Sequence, residues 1–204
     1  MKLFSKKPKA EKSLPKLGKL ISVESFSIDE RHKFAGLLAQ TLADNEFSVE
    51  HYRLNPPVIT NHEIGARAAA VLYAVEIFHQ AEAIRESLQT ADAVVIEGYV
   101  LANAGFCGTQ FTDKFERIEF YKWLDNLSHA ILNIPRANLN IILNPALEDE
   151  EDQSLKESFK DLADLSPNTK SIEYSADQST ELEITNKIWE LVRRIALKNS
   201  LPNQ

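Results

Sequence analysis

Residues 19–38 read KLISVESFSIDERHKFAGLL, and this stretch decides the fold because it predicts an apolar strand, a short turn and a helix that begins near Asp29. A strand that leads into a helix through a short loop is where α/β proteins place a phosphate-binding loop. Such a loop needs glycines, a lysine for the phosphates and a Ser or Thr hydroxyl for Mg²⁺. The segment from Ser25 to Glu30 contains no glycine.

The residues of this turn predict an ordinary capped helix. Ser27 and Glu30 have the spacing of a capping box, in which each side chain binds a free N–H group of the first turn. Asp29 adds a second negative charge, which the helix dipole favours at this end. Two carboxylates would repel a bound triphosphate by roughly a few kcal/mol each. We therefore expect a helix that supplies its own anions.

Length and charge bound the class of protein. The 204 residues, 44% of them hydrophobic, predict one well-buried domain over residues 18–204, preceded by a disordered basic leader over residues 1–17. Residues 1–20 carry a charge of about +6 and the remainder about −13. The acidic charge of the remainder argues against a nucleic-acid-binding face. A module that binds nucleic acid through its Lys-rich leader is therefore the third and least favoured of three alternative functions, of which the other two are given below.

The composition of the chain bears on its cellular compartment and on metal binding. The sequence has no run of 18 apolar residues and no apolar segment typical of a signal peptide, so we expect no membrane span. The single cysteine, Cys107, excludes an internal disulfide and fits a reducing cytoplasm. The five histidines show no metal-binding spacing, and we expect no metal site.

Strand-like and helix-like segments alternate along the chain, which predicts a three-layer α/β/α domain whose parallel sheet is covered on both sides. The predicted strands are residues 20–23, 47–52, 93–96, 139–143 and 171–174, and the predicted helices are residues 30–43, 63–89, 115–132, 148–165 and 181–197. Gly105 and Gly108 are expected in a loop that follows the third strand.

The same order of elements, together with particular residues, resembles thymidylate kinase, the P-loop enzyme that phosphorylates dTMP. ESFSIDERHKFAGLLAQTL, from Glu24, is similar to the family's EGxDGxGKxTQxxLLxxxL without a gap. Arg31 stands at the lysine position and His32 at the hydroxyl that would hold Mg²⁺. The matching residues are Glu24, Leu37, Leu38 and Leu42, and the residues that replace the three loop glycines are Ser25, Ile28 and Glu30.

Later segments continue the resemblance. VVIEGYVLANAGFCG, from Val94, resembles the family's VxxDRYxxSxxAxQG, with Glu97 keeping a carboxylate and Gly98 replacing an arginine that would contact phosphate. LYAVEIFHQ, from Leu72, resembles LLFxADRxxH, with Phe78 as a base-facing ring and Ile77 in place of an arginine. The segment from Phe120 resembles the family's helix and strand that end in LDxPPE, with Asn144 in place of the Asp. The Arg-rich lid of the family should lie near residues 145–169, where this chain has no arginine.

The resemblance implies a five-stranded parallel sheet of the P-loop nucleotide kinase type and two alternative functions. The first is a thymidylate kinase-like pseudoenzyme that has lost phosphoryl transfer, needs no cofactor and acts as a binding or regulatory partner. The second is a divergent nucleoside monophosphate (dTMP) kinase, or other nucleotide-binding enzyme, that would use ATP and Mg²⁺ with Arg31, Arg53 and Glu97. Arg31 is expected either to contact a phosphate, or to pair with Asp29 or lie on the solvated surface. The candidates for a nucleotide-binding pocket, which could equally be packing residues, are Phe78, Tyr99 and Asn103.

Members of the resembled family pair through long helices, and here these helices correspond to residues 66–78 and 106–132. The first carries five alanines, which we expect to let a partner helix approach and cover Val71, Leu72 and Val75. The resemblance therefore implies a homodimer, or a heterodimer with a paralogous thymidylate kinase. The five alanines are Ala66, Ala68, Ala69, Ala70 and Ala74.

Overall fold

The computed structural model describes residues 17–25, 27–54, 64–145, 150–175 and 179–197, and of residues 150–152 only the backbone. The predicted basic leader therefore lies outside the described residues, apart from Leu17. Within the described ranges, no helix is both long enough and apolar enough to cross a membrane.

Five strands form one parallel sheet in the order β2-β3-β1-β4-β5. Each strand lies within a few residues of its prediction, and the three-layer α/β/α architecture is confirmed. The strands are β1 (Lys19–Ser25), β2 (Val49–Arg53), β3 (Ala93–Glu97), β4 (Leu139–Pro145) and β5 (Thr169–Tyr174).

Six α-helices connect the described strands, and the last turns of α4 and α6 widen into π-helical segments over Asn126–Ile131 and Val192–Ala196. The helices are α1 (Ile28–Asp44), α2 (Ala66–Thr90), α3 (Val100–Gly108), α4 (Lys114–Asp125), α5 (Glu150–Leu165) and α6 (Glu181–Leu191).

Successive side chains of the central strands point to opposite faces of the sheet, and they pack into a separate hydrophobic core on each face. Val23 and Val95 pack with α1 and α6 in one core. Leu20 and Ile96 pack with α2 in the second core, on the other face. A third core lies among α2, α3, α4 and α5.

Helix α3 corrects the prediction of a loop after β3. Its glycines are sites of close packing: a Cβ atom on Gly105 would lie 2.5 Å from the ring of Phe159 in α5, and one on Gly108 would collide with Tyr121 and Ser158. The Ser158 hydroxyl donates a hydrogen bond to the Gly105 carbonyl at 2.7 Å. Gly105 and Gly108 therefore let α3 lie directly against its neighbours rather than break the helix.

Candidate functional site

The carboxyl ends of β1, β2 and β3 meet the first turn of α1 at one edge of the sheet, which is where open α/β sheets bind ligands. The register pairs Glu97 at the end of β3 with both Val23 and Arg53. Arg31 lies in the first turn of α1. The structure therefore brings the three predicted catalytic candidates, Arg31, Arg53 and Glu97, to the same edge.

Glu97 is the centre of a charged cluster, which we call the Glu97 cluster and define as Glu97, His32, His51 and Arg53. Only 3% of the Glu97 side chain is exposed. Its Oε1 atom lies 3.0 Å from Nδ1 of His32 and 2.8 Å from Nε2 of His51, and its Oε2 atom lies 3.8 Å from Nε of Arg53. Because a carboxylate only accepts hydrogen bonds, each imidazole presents an N–H to Glu97.

The hydrogen bonds of this cluster favour the ionised form of Glu97. Burial by itself raises the pKa of Glu97, but the hydrogen bonds from His51 and His32 outweigh burial and hold that pKa below its usual value. A carboxylate that fixes the tautomer of an imidazole leaves the second ring nitrogen free for chemistry or binding. That nitrogen is Nε2 in His32, whose side chain is half exposed, and Nδ1 in His51.

The sequence did not predict His32 and His51 as site residues, because the five histidines lack the spacing of metal ligands. The signal was available in part, because His51 lies two residues before Arg53 on β2 and therefore reaches the same edge. All three groups point at the same carboxylate rather than at a common ion. Across the residues that the structure describes, no group of three or more His, Cys, Asp or Glu side chains could hold a metal ion.

Arg31 is buried, with 2% of its surface exposed, so the alternative that placed it on the solvated surface is wrong. Its guanidinium lies flat against Gly98: a Cβ atom on Gly98 would be 2.6 Å from Cζ of Arg31. Gly98 also has a φ of 62°, in the left-handed region that favours glycine. Among the described residues, neither Nε nor Nη1 of Arg31 has a hydrogen-bond partner.

Glu24, at the end of β1, lies in the same buried region and caps α3. Its Oε2 atom accepts hydrogen bonds from the backbone N–H groups of Tyr99 and Ala102, at 2.9 Å and 3.0 Å. Burial raises the pKa of Glu24, and the positive charge of Arg31 opposes that shift. The Oε1 atom has no hydrogen-bond partner within the described part of the chain. Glu24 and Arg31 are thus two buried ionisable side chains that interact electrostatically without a direct hydrogen bond among the described residues.

The first turn of α1 is capped by the chain itself, although only half of the predicted capping box forms. Ser27 Oγ accepts a hydrogen bond from the Glu30 N–H at 3.3 Å, as predicted. The reciprocal bond is replaced, because the Ser27 N–H donates to Ser25 Oγ at 3.1 Å and the Glu30 carboxylate accepts from that same hydroxyl at 3.4 Å. Two of the N–H groups that a phosphate would need are therefore already bonded to side chains.

The three nucleotide-binding candidates lie in different environments. Tyr99 and Asn103 are buried, and their polar atoms bind the chain: the Tyr99 hydroxyl donates to the Pro135 carbonyl at 2.8 Å, and Asn103 Nδ2 donates to the Ala70 carbonyl at 2.9 Å. Phe78 lies on an outward face of α2 with 47% of its surface exposed. A role for these residues in binding a nucleotide stays a prediction.

Comparisons with known proteins identify the fold. No family model matches the sequence, and no curated protein matches it. Among solved structures, the thymidylate kinase from Candida albicans superposes with a TM-score of 0.68 at 13% sequence identity, covering 92% of this chain and 96% of that one. The chain therefore has a thymidylate kinase-like fold.

Proposed function

We propose that this chain is a thymidylate kinase-like protein that does not transfer phosphoryl groups and acts as a binding or regulatory partner. One observation carries the proposal: Arg31, which aligns with the phosphate-binding lysine of the family, is buried against Gly98 instead of pointing into an open cradle. A kinase stabilises the transferring phosphoryl group with cations aimed at it. A guanidinium that is closed off inside the protein supplies no such contact.

The surroundings of Arg31 support the same conclusion. The loop before α1 contains no glycine, and two N–H groups at the start of α1, those of Ser27 and Glu30, already bind Ser25 and Ser27. The described part of the lid region, α5, contains two lysines and no arginine. Each of these groups would contribute orders of magnitude to the rate of a kinase, so we expect their combined loss to abolish transfer.

A coupled assay that detects ADP release from ATP and Mg²⁺ tests the proposal, with dTMP and dUMP as acceptors. We expect no turnover above background, while an active thymidylate kinase in the same assay gives a signal. Turnover in the range of roughly 1–100 s⁻¹ that is typical of kinases would refute the proposal.

A second candidate function, a nucleotide-binding enzyme of altered chemistry, is favoured by the Glu97 cluster. Arg53 and the free ring nitrogens of His32 and His51 could contact an anionic substrate around Glu97. This candidate predicts that ATP or dTMP binds and stabilises the fold, by about 2.7 kcal/mol at 100 times Kd. A melting temperature that neither nucleotide shifts at millimolar concentration would contradict it. A nucleotide-induced shift in melting temperature that is lost in Arg53→Ala, but is still present in the control variant Lys170→Ala, would support it.

The partner surface that we propose is the exposed apolar face of α2, formed by Val71, Leu72, Val75 and Phe78, which are between 38% and 53% exposed. An apolar face of this kind marks an interaction site in soluble proteins. We infer a two-fold dimer across it, either with a second copy or with a paralogous kinase.

The alanines of α2 do not contribute to this surface in the way the sequence suggested. The four that are buried pack inside the chain, where the Ala70 carbonyl accepts a hydrogen bond from Asn103 of α3, and only Ala68 is exposed. The close approach that they permit is therefore to α3 and not to a partner. The buried alanines are Ala66, Ala69, Ala70 and Ala74.

Light scattering at micromolar concentration tests the homodimer. We expect a particle of twice the 23.0 kDa chain mass, which Val71→Glu converts to the monomer because the substitution places a charge in the apolar face. Lys170→Glu, an exposed charge change on the edge strand β5 and away from α2, should leave the dimer intact. A wild-type monomer would refute the homodimer, and co-purification with a thymidylate kinase would then test the heterodimer.

A further inference from the structure

A cavity of about 480 Å³ lies between α3, α4, α5 and the start of β4. No residue of the Glu97 cluster lines it, so it is separate from the candidate site at the carboxyl edge. Its volume is in the range of small-molecule sites, which are usually apolar clefts with a few polar groups that fix orientation. The apolar walls include Val100 and Leu101 of α3, Leu124 of α4 and Leu162 of α5.

His129 lines this cavity, and one of its ring nitrogens is a hydrogen-bond acceptor. Its Nδ1 atom lies 2.8 Å from the Ile134 carbonyl, which can only accept, so Nδ1 carries a proton. Burial lowers the pKa of His129, and the ring is therefore neutral near pH 7, with a lone pair on Nε2. Within the described ranges Nε2 has no hydrogen-bond donor, and Oδ1 of Asp125, 3.8 Å away, is itself an acceptor.

The charged groups beside His129 are already paired. Arg136 donates two hydrogen bonds to Asp125, at 2.7 Å and 2.8 Å, which is the bidentate geometry of a strong ion pair. Lys122, which also lines the cavity, donates to Glu119 at 2.7 Å. Among the described residues that line the cavity, the charged side chains beside His129 are therefore all paired, and an ion would bind there without a counter-charge.

We propose that this cavity binds an uncharged, mainly apolar molecule that carries a hydroxyl or N–H donor, with the donor on Nε2 of His129. The apolar walls would bury the apolar part of the molecule, because removing apolar surface from water is the main source of affinity in such sites. The hydrogen bond to Nε2 would fix the orientation. This site is independent of the proposed loss of phosphoryl transfer.

Two probes test the proposal: 2-naphthol, which has a hydroxyl donor, and 2-methoxynaphthalene, in which a methyl group replaces the donated hydrogen. Saturation-transfer NMR titrations at pH 7.5 should show saturable binding of 2-naphthol to the wild-type protein and weaker binding of the methyl ether. His129→Phe should lower the affinity for 2-naphthol by about tenfold, because one hydrogen bond is lost. It should also remove the preference for 2-naphthol over the methyl ether. The control His79→Phe changes an exposed histidine of α2 and should leave both affinities unchanged.

Two results would overturn the proposal: no saturable binding of 2-naphthol up to its solubility limit, or a preference for 2-naphthol that persists in His129→Phe. A second variant covers the case in which His129→Phe does not fold. Leu101→Trp places a larger side chain into the cavity from a half-buried position of α3. It should abolish binding of both probes, and unchanged binding in a folded Leu101→Trp protein would also overturn the proposal.

Discussion

Gly98→Ala tests the contact between Gly98 and Arg31 most directly. Gly98 has a left-handed backbone conformation, which is less favourable by about 1–2 kcal/mol for a residue that has a Cβ atom. The new Cβ atom would also lie 2.6 Å from Cζ of the buried guanidinium, and displacing a packed buried group costs about 1–3 kcal/mol. We therefore expect Gly98→Ala to lower the free energy of unfolding by about 2–5 kcal/mol.

The assay is urea unfolding of four proteins: the wild type, Gly98→Ala, Arg31→Ala and the double variant. With an m-value of about 1–3 kcal/mol/M, Gly98→Ala should move the urea midpoint down by roughly 1 M or more. In the Arg31→Ala background the steric part disappears, and the same substitution should cost only the backbone strain of about 1–2 kcal/mol.

Gly36→Ala is the matched control, because Gly36 lies inside α1 and a Cβ atom there would have no neighbour within 4 Å. This substitution should leave the protein unchanged or stabilise it by about 0.5–1 kcal/mol. A cost of less than about 0.5 kcal/mol for Gly98→Ala, or a cost that is the same with and without Arg31, would contradict a steric contact between residue 98 and Arg31.

Two further predictions concern charges. The pKa of Glu97 in the folded protein lies below its usual value of 4.5, so the Glu97 carboxylate stabilises the fold fully above that value and loses this contribution as the pH falls through the lowered pKa. The difference in unfolding free energy between wild type and Glu97→Gln should therefore shrink from pH 7 to pH 3. A difference that grows would contradict this. Arg117 donates two hydrogen bonds to buried Asp161, at 2.7 Å and 3.0 Å, and Lys114 also pairs with Asp161, at 2.7 Å. Because Lys114 still neutralises Asp161, Arg117→Ala should cost about 1.5–3 kcal/mol in urea unfolding, the range for hydrogen bonds to a charged group. Lys122→Ala, in an exposed pair, should cost less than about 1 kcal/mol, and equal costs would show that burial of the pair does not matter.

Most of the fold could be predicted because its elements follow local periodicity. Alternation and short apolar runs located all five strands, and helical spacing of apolar residues located five of the six helices. Helix α3 was missed because Gly105 was interpreted as a loop residue. Its physical role is to admit the ring of Phe159 from α5, a contact between segments far apart in the chain. No local pattern could predict that contact.

The candidate site was predictable only in part, for the same reason. The sequence placed Arg53 and Glu97 at the carboxyl edge, since both end a strand. It did not place His32 or His51 beside Glu97, because that convergence depends on the register of β2 with β3 and on the approach of α1.

Arg31 and Gly98 show why residue-by-residue comparison with a family pattern can mislead. Taken singly, an arginine at the lysine position and a glycine at an arginine position are two separate losses of phosphate-binding chemistry. In the structure the two positions are in contact, and the guanidinium of Arg31 occupies space that any side chain at residue 98 would need. A larger residue at 98 would exclude the buried arginine, and the arginine in turn restricts residue 98 to glycine. We infer that the two departures form one coupled change, which keeps a cation at the junction of β1, β3 and α1 and places it beside the carboxylate of Glu24 instead of in an open phosphate cradle.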